Sequence, residues 1–192
     1  MFSVRLHGRG GQGIVTTAEL LAVAVFDEDA YAQAFPTFGS ERTGAPVAAY
    51  CRIDERPIRS HEPITSPDAL IVADPSLFAQ VDVLAGLRSD GYLVINASDA
   101  AALSGAPAAL SGAPTQVCLV PATEIARRHI GRPVPGAPLL GAFAAVTGRV
   151  GLAALVRAIE ERFPSKVAEA NAAAAREAYQ MIRATWTEPT HA

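Results

Sequence analysis

The chain has 192 residues, half of them hydrophobic, and 16 Lys and Arg against 19 Asp and Glu give a net charge of −3. This length and apolar content provide one domain with a substantial core and exclude a disordered chain. The mixed charge leaves no footprint for nucleic acid or an anionic membrane, and no apolar run reaches the ~18–20 residues of a membrane span.

Phe2, Val4 and Leu6 alternate with Ser3, Arg5 and His7, the period of a short strand over Val4–His7. The strand runs straight into a glycine turn, which argues against a cleaved signal peptide. Gly8 to Gly13 reads GRGGQG, and Ile14–Phe26 is an apolar run of helical length. Tyr31–Phe35 is a second strand, residues 36–46 (PTFGSERTGAP) a loop, and Val47–Ile53 a third strand. Pro57, Pro63 and Pro67 mark an exposed connection before Ala69–Ala73, a strand buried on both faces. Asp74-Pro75 ends it, and Ser76 opens a predicted helix to about Leu87. Tyr92–Ile95 is the next strand, with Asn96 and Ser98 as caps. Residues 100–113, with SGAP twice, read as a weak helix and loop, and Val117–Val120 is the last strand. Helices then follow from Pro121 to Ile130, over Leu139–Thr147, over Gly151–Arg162 and over Lys166–Thr185, with GRPVPGAP as a break after the first. The end after Trp186 is expected to fray.

Strands alternating with helices predict an α/β fold: a Rossmann-like open, mostly parallel sheet with helices on both faces and a helical C-terminal third. One domain is expected over 1–192, with the sheet core at about 1–121 and the helical part at about 122–186. Cys51 and Cys118 lie apart in apolar strands and read as buried thiols in a reducing cytoplasm. Two cysteines cannot hold an iron–sulfur cluster, which takes four. His7, His61, His129 and His191 show no metal-ligand spacing.

Gly8, Arg9, Gly10, Gly11, Gln12 and Gly13 form the candidate binding loop. Strand, glycine turn and helix bring backbone amides and a positive helix end to face an anion. Gly8, Gly10 and Gly13 satisfy G-x-G-x-x-G, yet the acidic residue that should close the second strand is missing, since Asp27, Glu28 and Asp29 precede that strand. A Walker A lysine is absent as well. The plainer reading is a tight turn with close helix–strand packing. Arg9 and Gln12, polar and in the turn, point instead to a ligand or a partner surface. His7 reads as a core or capping histidine.

The residues resemble a known family. GRGGQGIVTTAELLA, AQAFPTFGSERTGAPVAAYCRIDERPIR, PDALIVADPSL, and PLLGAFAAVTG followed by RFPSK are similar to the gamma subunit of 2-oxoacid:ferredoxin (2-oxoacid:acceptor) oxidoreductases, from about Val4 to Tyr179. The resemblance implies a mainly structural part of a larger enzyme. That enzyme oxidatively decarboxylates a 2-oxoacid to an acyl-CoA and passes electrons to ferredoxin or a similar acceptor. Alpha, beta and iron–sulfur (delta-type) partners would hold thiamine diphosphate, magnesium and the clusters. Coenzyme A would sit at the subunit boundary, beside the glycine loop. Where family members carry an Asn-Thr-Ala-like segment, this chain has Gly136-Ala137-Pro138. Phe35, Phe38, Ser40, Glu41 and Arg42 are the expected partner contacts, because aromatic anchors and an arginine sit together at a strand's end. The reading from a different class is a free-standing nucleotide-binding protein that uses Gly8–Gly13.

Overall fold

Phe2, Val4 and Leu6 turn to one face of strand β1 (Phe2–Arg9), and pairing passes that choice across the sheet. The structure is a computed structural model and describes residues 1–37, 43–60, 62–103 and 116–186. The other strands are β2 (Tyr31–Pro36), β3 (Pro46–Asp54), β4 (Ala69–Val72), β5 (Tyr92–Asn96) and β6 (Gln116–Val120). They form one sheet in the order β2-β3-β1-β4-β5-β6. From β1 through β6 the pairs are parallel, whereas β2 and β3 add an antiparallel edge. Val4 faces Cys51 and Leu6 faces Ala49 across β3, while Leu6 faces Ile71 across β4, so one continuous apolar face results. The open, mostly parallel α/β sheet is therefore present.

That face carries every α-helix among the described residues: α1 (Ile14–Phe26), α2 (Ala122–Ile130), α3 (Gly136–Thr147), α4 (Leu152–Arg162) and α5 (Ser165–Thr185). Residues 136–146 of α3 are all buried, because α3 lies between the sheet and α5. α3 begins three residues ahead of the expected Leu139. Pro138 fits there because first-turn amides have no intrahelical acceptor to lose. Gly136 sits where a Cβ would lie 2.3 Å from Thr17 Oγ1, so the departing Gly136-Ala137-Pro138 segment lets α1 and α3 meet.

The opposite face is covered differently. Leu70, Val72, Leu93 and Ile95 pack there against Leu77, Val83 and Leu103, which come from short 3-10 turns and loops. The helix expected from Ser76 to Leu87 is a 3-10 turn, Pro75–Ala79, followed by irregular chain. Arg5 supplies the reason. Its side chain is buried on this face, and Nη2 donates to the carbonyls of Val83 (2.9 Å) and Ala85 (2.7 Å). Carbonyls turned to a buried guanidinium are lost to a helical ladder, and an unpaired buried charge would cost far more. Gly86, at φ +72°, lets the chain turn there. Of the 100–113 stretch, Ala100–Ala102 is a 3-10 turn and 104–113 lies outside the described residues.

Candidate functional site at the glycine turn

β1 ends and α1 begins within a tight turn. Gly11 (φ +95°) and Gly13 (φ +75°) occupy the left-handed region that side chains disfavour, so the turn needs glycine at both. Gly10 extends the strand: its amide donates to Ala45 O (2.9 Å), and its carbonyl accepts from Gly44 N (3.0 Å). Gly8 is confined instead, since a Cβ there would meet the Ile14 side chain at 2.4 Å. The glycines thus divide: Gly8 serves packing, and Gly11 borders open space with nothing within 4 Å of a built Cβ.

The turn opens on a cleft of about 400 Å³, lined by Arg9, Gly10, Gly11, Gly13, Ile14, Val15, Thr16, Thr43 and Val47. Gly13 caps α1 with no side-chain hydrogen bond, and the first turn holds no acidic residue. Thr17 N–H, bonded to Gly13 O, is the first amide of the helix with an acceptor in it. The positive end of the macrodipole therefore faces the cleft unneutralised. Chemically, the arrangement suits a carboxylate, a phosphoryl oxygen or a partner's backbone carbonyl.

Arg9 and Gln12 are held in a hydrogen-bond network of the chain's own groups. Arg9 Nε donates to Asp74 Oδ2 (2.9 Å), Nη2 to Ser76 Oγ (2.7 Å), and Nη1 to Gly44 O (3.0 Å). Gln12 Oε1 accepts from Arg9 N (2.8 Å), and its Nε2 lies 3.4 Å from Asp74 Oδ2. Burial works against the Asp74 charge, but hydrogen bonds from Ser76 and the Arg9 guanidinium outweigh it and hold the carboxyl below its ordinary range. This network joins the C-terminal ends of β1 and β4, the crevice in which open α/β folds take nucleotides. The chain's own side chains occupy it. Sequence reasoning missed Asp74 and Ser76 as partners of Arg9; the signal was an Asp-Pro-Ser closing a strand parallel to β1.

Phe35 lies on β2, its ring stacked on Tyr50 at 5.0 Å with the Arg52 guanidinium 5.0 Å from its centroid. Phe38, Ser40, Glu41 and Arg42 lie outside the described residues. The acidic turn after α1 serves structure: Asp27 pairs with Arg157, and the Glu28 carboxylate accepts from Gly151 N. His7 lies on the Arg5 side of β1, where its Nε2 accepts from Arg5 Nε (2.9 Å). Asn96 Oδ1 accepts from Thr123 N (3.0 Å) in the first turn of α2, and Ser98 Oγ donates to Asp99 Oδ2 (3.4 Å). Cys51 and Cys118 are buried free thiols, and burial pushes both up to about 12.

Comparison with known proteins decides the family. Residues 3–181 match the family described as pyruvate ferredoxin/flavodoxin oxidoreductase. The chain belongs to that family. It is 46% identical over 182 residues to pyruvate synthase subunit PorC of Methanothermobacter thermautotrophicus, covering 95% of this chain and 96% of the relative. It is also 46% identical over 180 residues to the pyruvate/ketoisovalerate oxidoreductases common subunit gamma of Pyrococcus abyssi, covering 94% and 96%. Among solved structures, the pyruvate oxidoreductase subunit PORC of Thermotoga maritima superposes with a TM-score of 0.77 at 36% identity, over 93% of this chain and 95% of that one. The expected gamma-subunit resemblance thus holds over nearly the whole chain.

Proposed function

We propose that the chain is the gamma subunit of a 2-oxoacid:acceptor oxidoreductase complex, working in the cytoplasm with alpha, beta and iron–sulfur partners. The complex oxidatively decarboxylates a 2-oxoacid to an acyl-CoA and reduces ferredoxin or a similar acceptor. The observation that carries this reading is the end-to-end match to proteins named as subunits of such enzymes. The residues agree with a supporting role. Two cysteines buried in separate strands cannot assemble a cluster. Thiamine diphosphate, magnesium and the clusters belong to the partners, and this chain positions what they hold. The uncapped α1 N-terminus and the glycine cleft border the coenzyme A channel, where amides can meet an anionic or carbonyl oxygen. Phe35 and the loop after it, through Phe38, Ser40, Glu41 and Arg42, form the contact with the neighbouring subunit. The free-standing nucleotide-binding reading finds less support: the Arg9–Asp74 network fills the crevice, and β2 ends in Pro36 rather than an acid.

The test is purification of the tagged chain from its own cells. Thiamine-diphosphate and iron–sulfur subunits should accompany it, and the isolated chain should oxidise no 2-oxoacid with coenzyme A and ferredoxin supplied. Turnover by the isolated chain above a cofactor-only control would overturn the reading, as would recovery of the chain without partners.

A further inference from the structure

α1 reads IVTTAELLAVAVF, with one charged residue in 13. A helix apolar on nearly every side belongs inside a protein. Ile14, Ala18, Leu21 and Val25 do face the core, but Val23 is 45% exposed and Phe26 69% exposed. Glu19, Val23 and Phe26 follow one another at helical spacing along the outer side. Beside them, between α1 and α4, runs a groove of about 430 Å³ lined by the apolar Leu20, Val23 and Ala158 and by the charged Glu19, Glu161 and Arg162. The Arg162 guanidinium lies over the ring of its neighbour Phe163. Arg157 is committed to Asp27. Glu19 and Glu161 have no ion-pair or hydrogen-bond partner among the described residues.

We propose that this groove docks an amphipathic helix of another subunit of the same complex, one whose apolar stripe is flanked by Lys or Arg. The proposal rests on the chain being a subunit. The walls are two α-helices whose backbone bonds are already made, so the groove recognises side chains and not a strand edge. The apolar lining asks for apolar residues, and the two unanswered carboxylates ask for cations beside them. A second copy of this chain fits badly: a two-fold contact would bring the same carboxylates toward their mates. An anionic membrane is disfavoured by the same charges.

The experiment uses the complex co-expressed with a tag on this chain. The double variant Glu19→Lys, Glu161→Lys should lower recovery of partner subunits by at least about tenfold. The thermal midpoint of the variant chain should stay at the wild-type value, since both side chains are exposed. In parallel, Val23→p-benzoylphenylalanine in the complex should cross-link, on irradiation, to a helix of another subunit carrying basic residues beside apolar ones. Unchanged recovery by the double variant overturns the proposal. So does a cross-link to a second copy of this chain, or to vesicles of phosphatidylserine and phosphatidylcholine, or to no subunit at all. If the wild-type chain recovers no oxidoreductase subunits, the gamma-subunit reading falls first; if wild type and variant recover them equally, only the docking proposal falls.

Discussion

Gly11 borders open space, so a methyl group added there meets no atom of the described residues, and its cost is the backbone's own. At φ +95° an L side chain is strained by about 1–2 kcal/mol. Gly11→Ala should therefore lower the thermal midpoint of the isolated chain, by roughly 2–4 °C per kcal/mol at this size. On the proposal that the turn borders the coenzyme A channel, the same variant should raise the Michaelis constant for coenzyme A in the assembled enzyme. An unchanged constant with lost stability would return the turn to a purely structural role. His7 makes a second prediction at this scale. Burial, with the Arg5 charge adding to it, lowers its pKa from 6.5 to about 4. Between those values the unfolded chain binds more protons than the native one, so stability rises with pH through that window and is lost as pH falls from 6.5 to 4. His7→Gln keeps an oxygen for Arg5 Nε but does not titrate. Its denaturant midpoints at pH 6.5 and pH 4.5 should differ less than those of wild type. Equal differences would show that His7 is not the group responsible.

Among elements, the tightest junction is between α3 and α5. A Cβ on Gly141 would lie 2.1 Å from the backbone carbonyl oxygen of Ala175, and neither helix can yield without separating from the other. Gly141→Ala should cost at least the ~1–3 kcal/mol typical of overpacking, read as a lowered thermal midpoint or as insoluble chain. Gly148 is the control. It closes α3 at φ +60° with nothing near its Cβ position, so Gly148→Ala carries only the backbone penalty of about 1–2 kcal/mol. Similar losses from the two would mean that α3 and α5 are less closely packed than described. The segment after β4 gives the complementary lesson. Its apolar spacing fits a helix, yet the acceptor demand of buried Arg5 outweighs local preference.

At the scale of the molecule, the described residues form a platform: five α-helices on one face, a thin cover of turns on the other, and an antiparallel edge at β2. Permanent subunit interfaces commonly bury more than ~2,000 Å². β2 is suited to lie within one, because Tyr31 is 42% exposed and Phe35 stands in a stack with Tyr50 and Arg52. Phe35→Ala should weaken assembly by about 2 kcal/mol, in the range of an interface hot spot, measured as the concentration at which the complex dissociates in sedimentation. A complex that dissociates at the wild-type concentration would remove Phe35 from the interface.

Strand periodicity, the glycine turn and the apolar helices were legible in the residues, because each is a local pattern with a local cause. β1 with its turn, β4, α1 and the C-terminal helices fall close to where the alternation and the breakers place them. Blocks of residues carried the family as well. What only the tertiary structure decided is where the polar groups go. Arg9 is bound by Asp74 and Ser76, which lie far along the chain and meet it only because β4 runs beside β1. Arg5 draws carbonyls out of what would have been a helix, and Glu19 and Glu161 have no partner among the described residues beside an apolar groove. Periodicity reports which side of an element is apolar, but the partner of a charge depends on contacts between distant segments, and those exist only once the sheet is assembled.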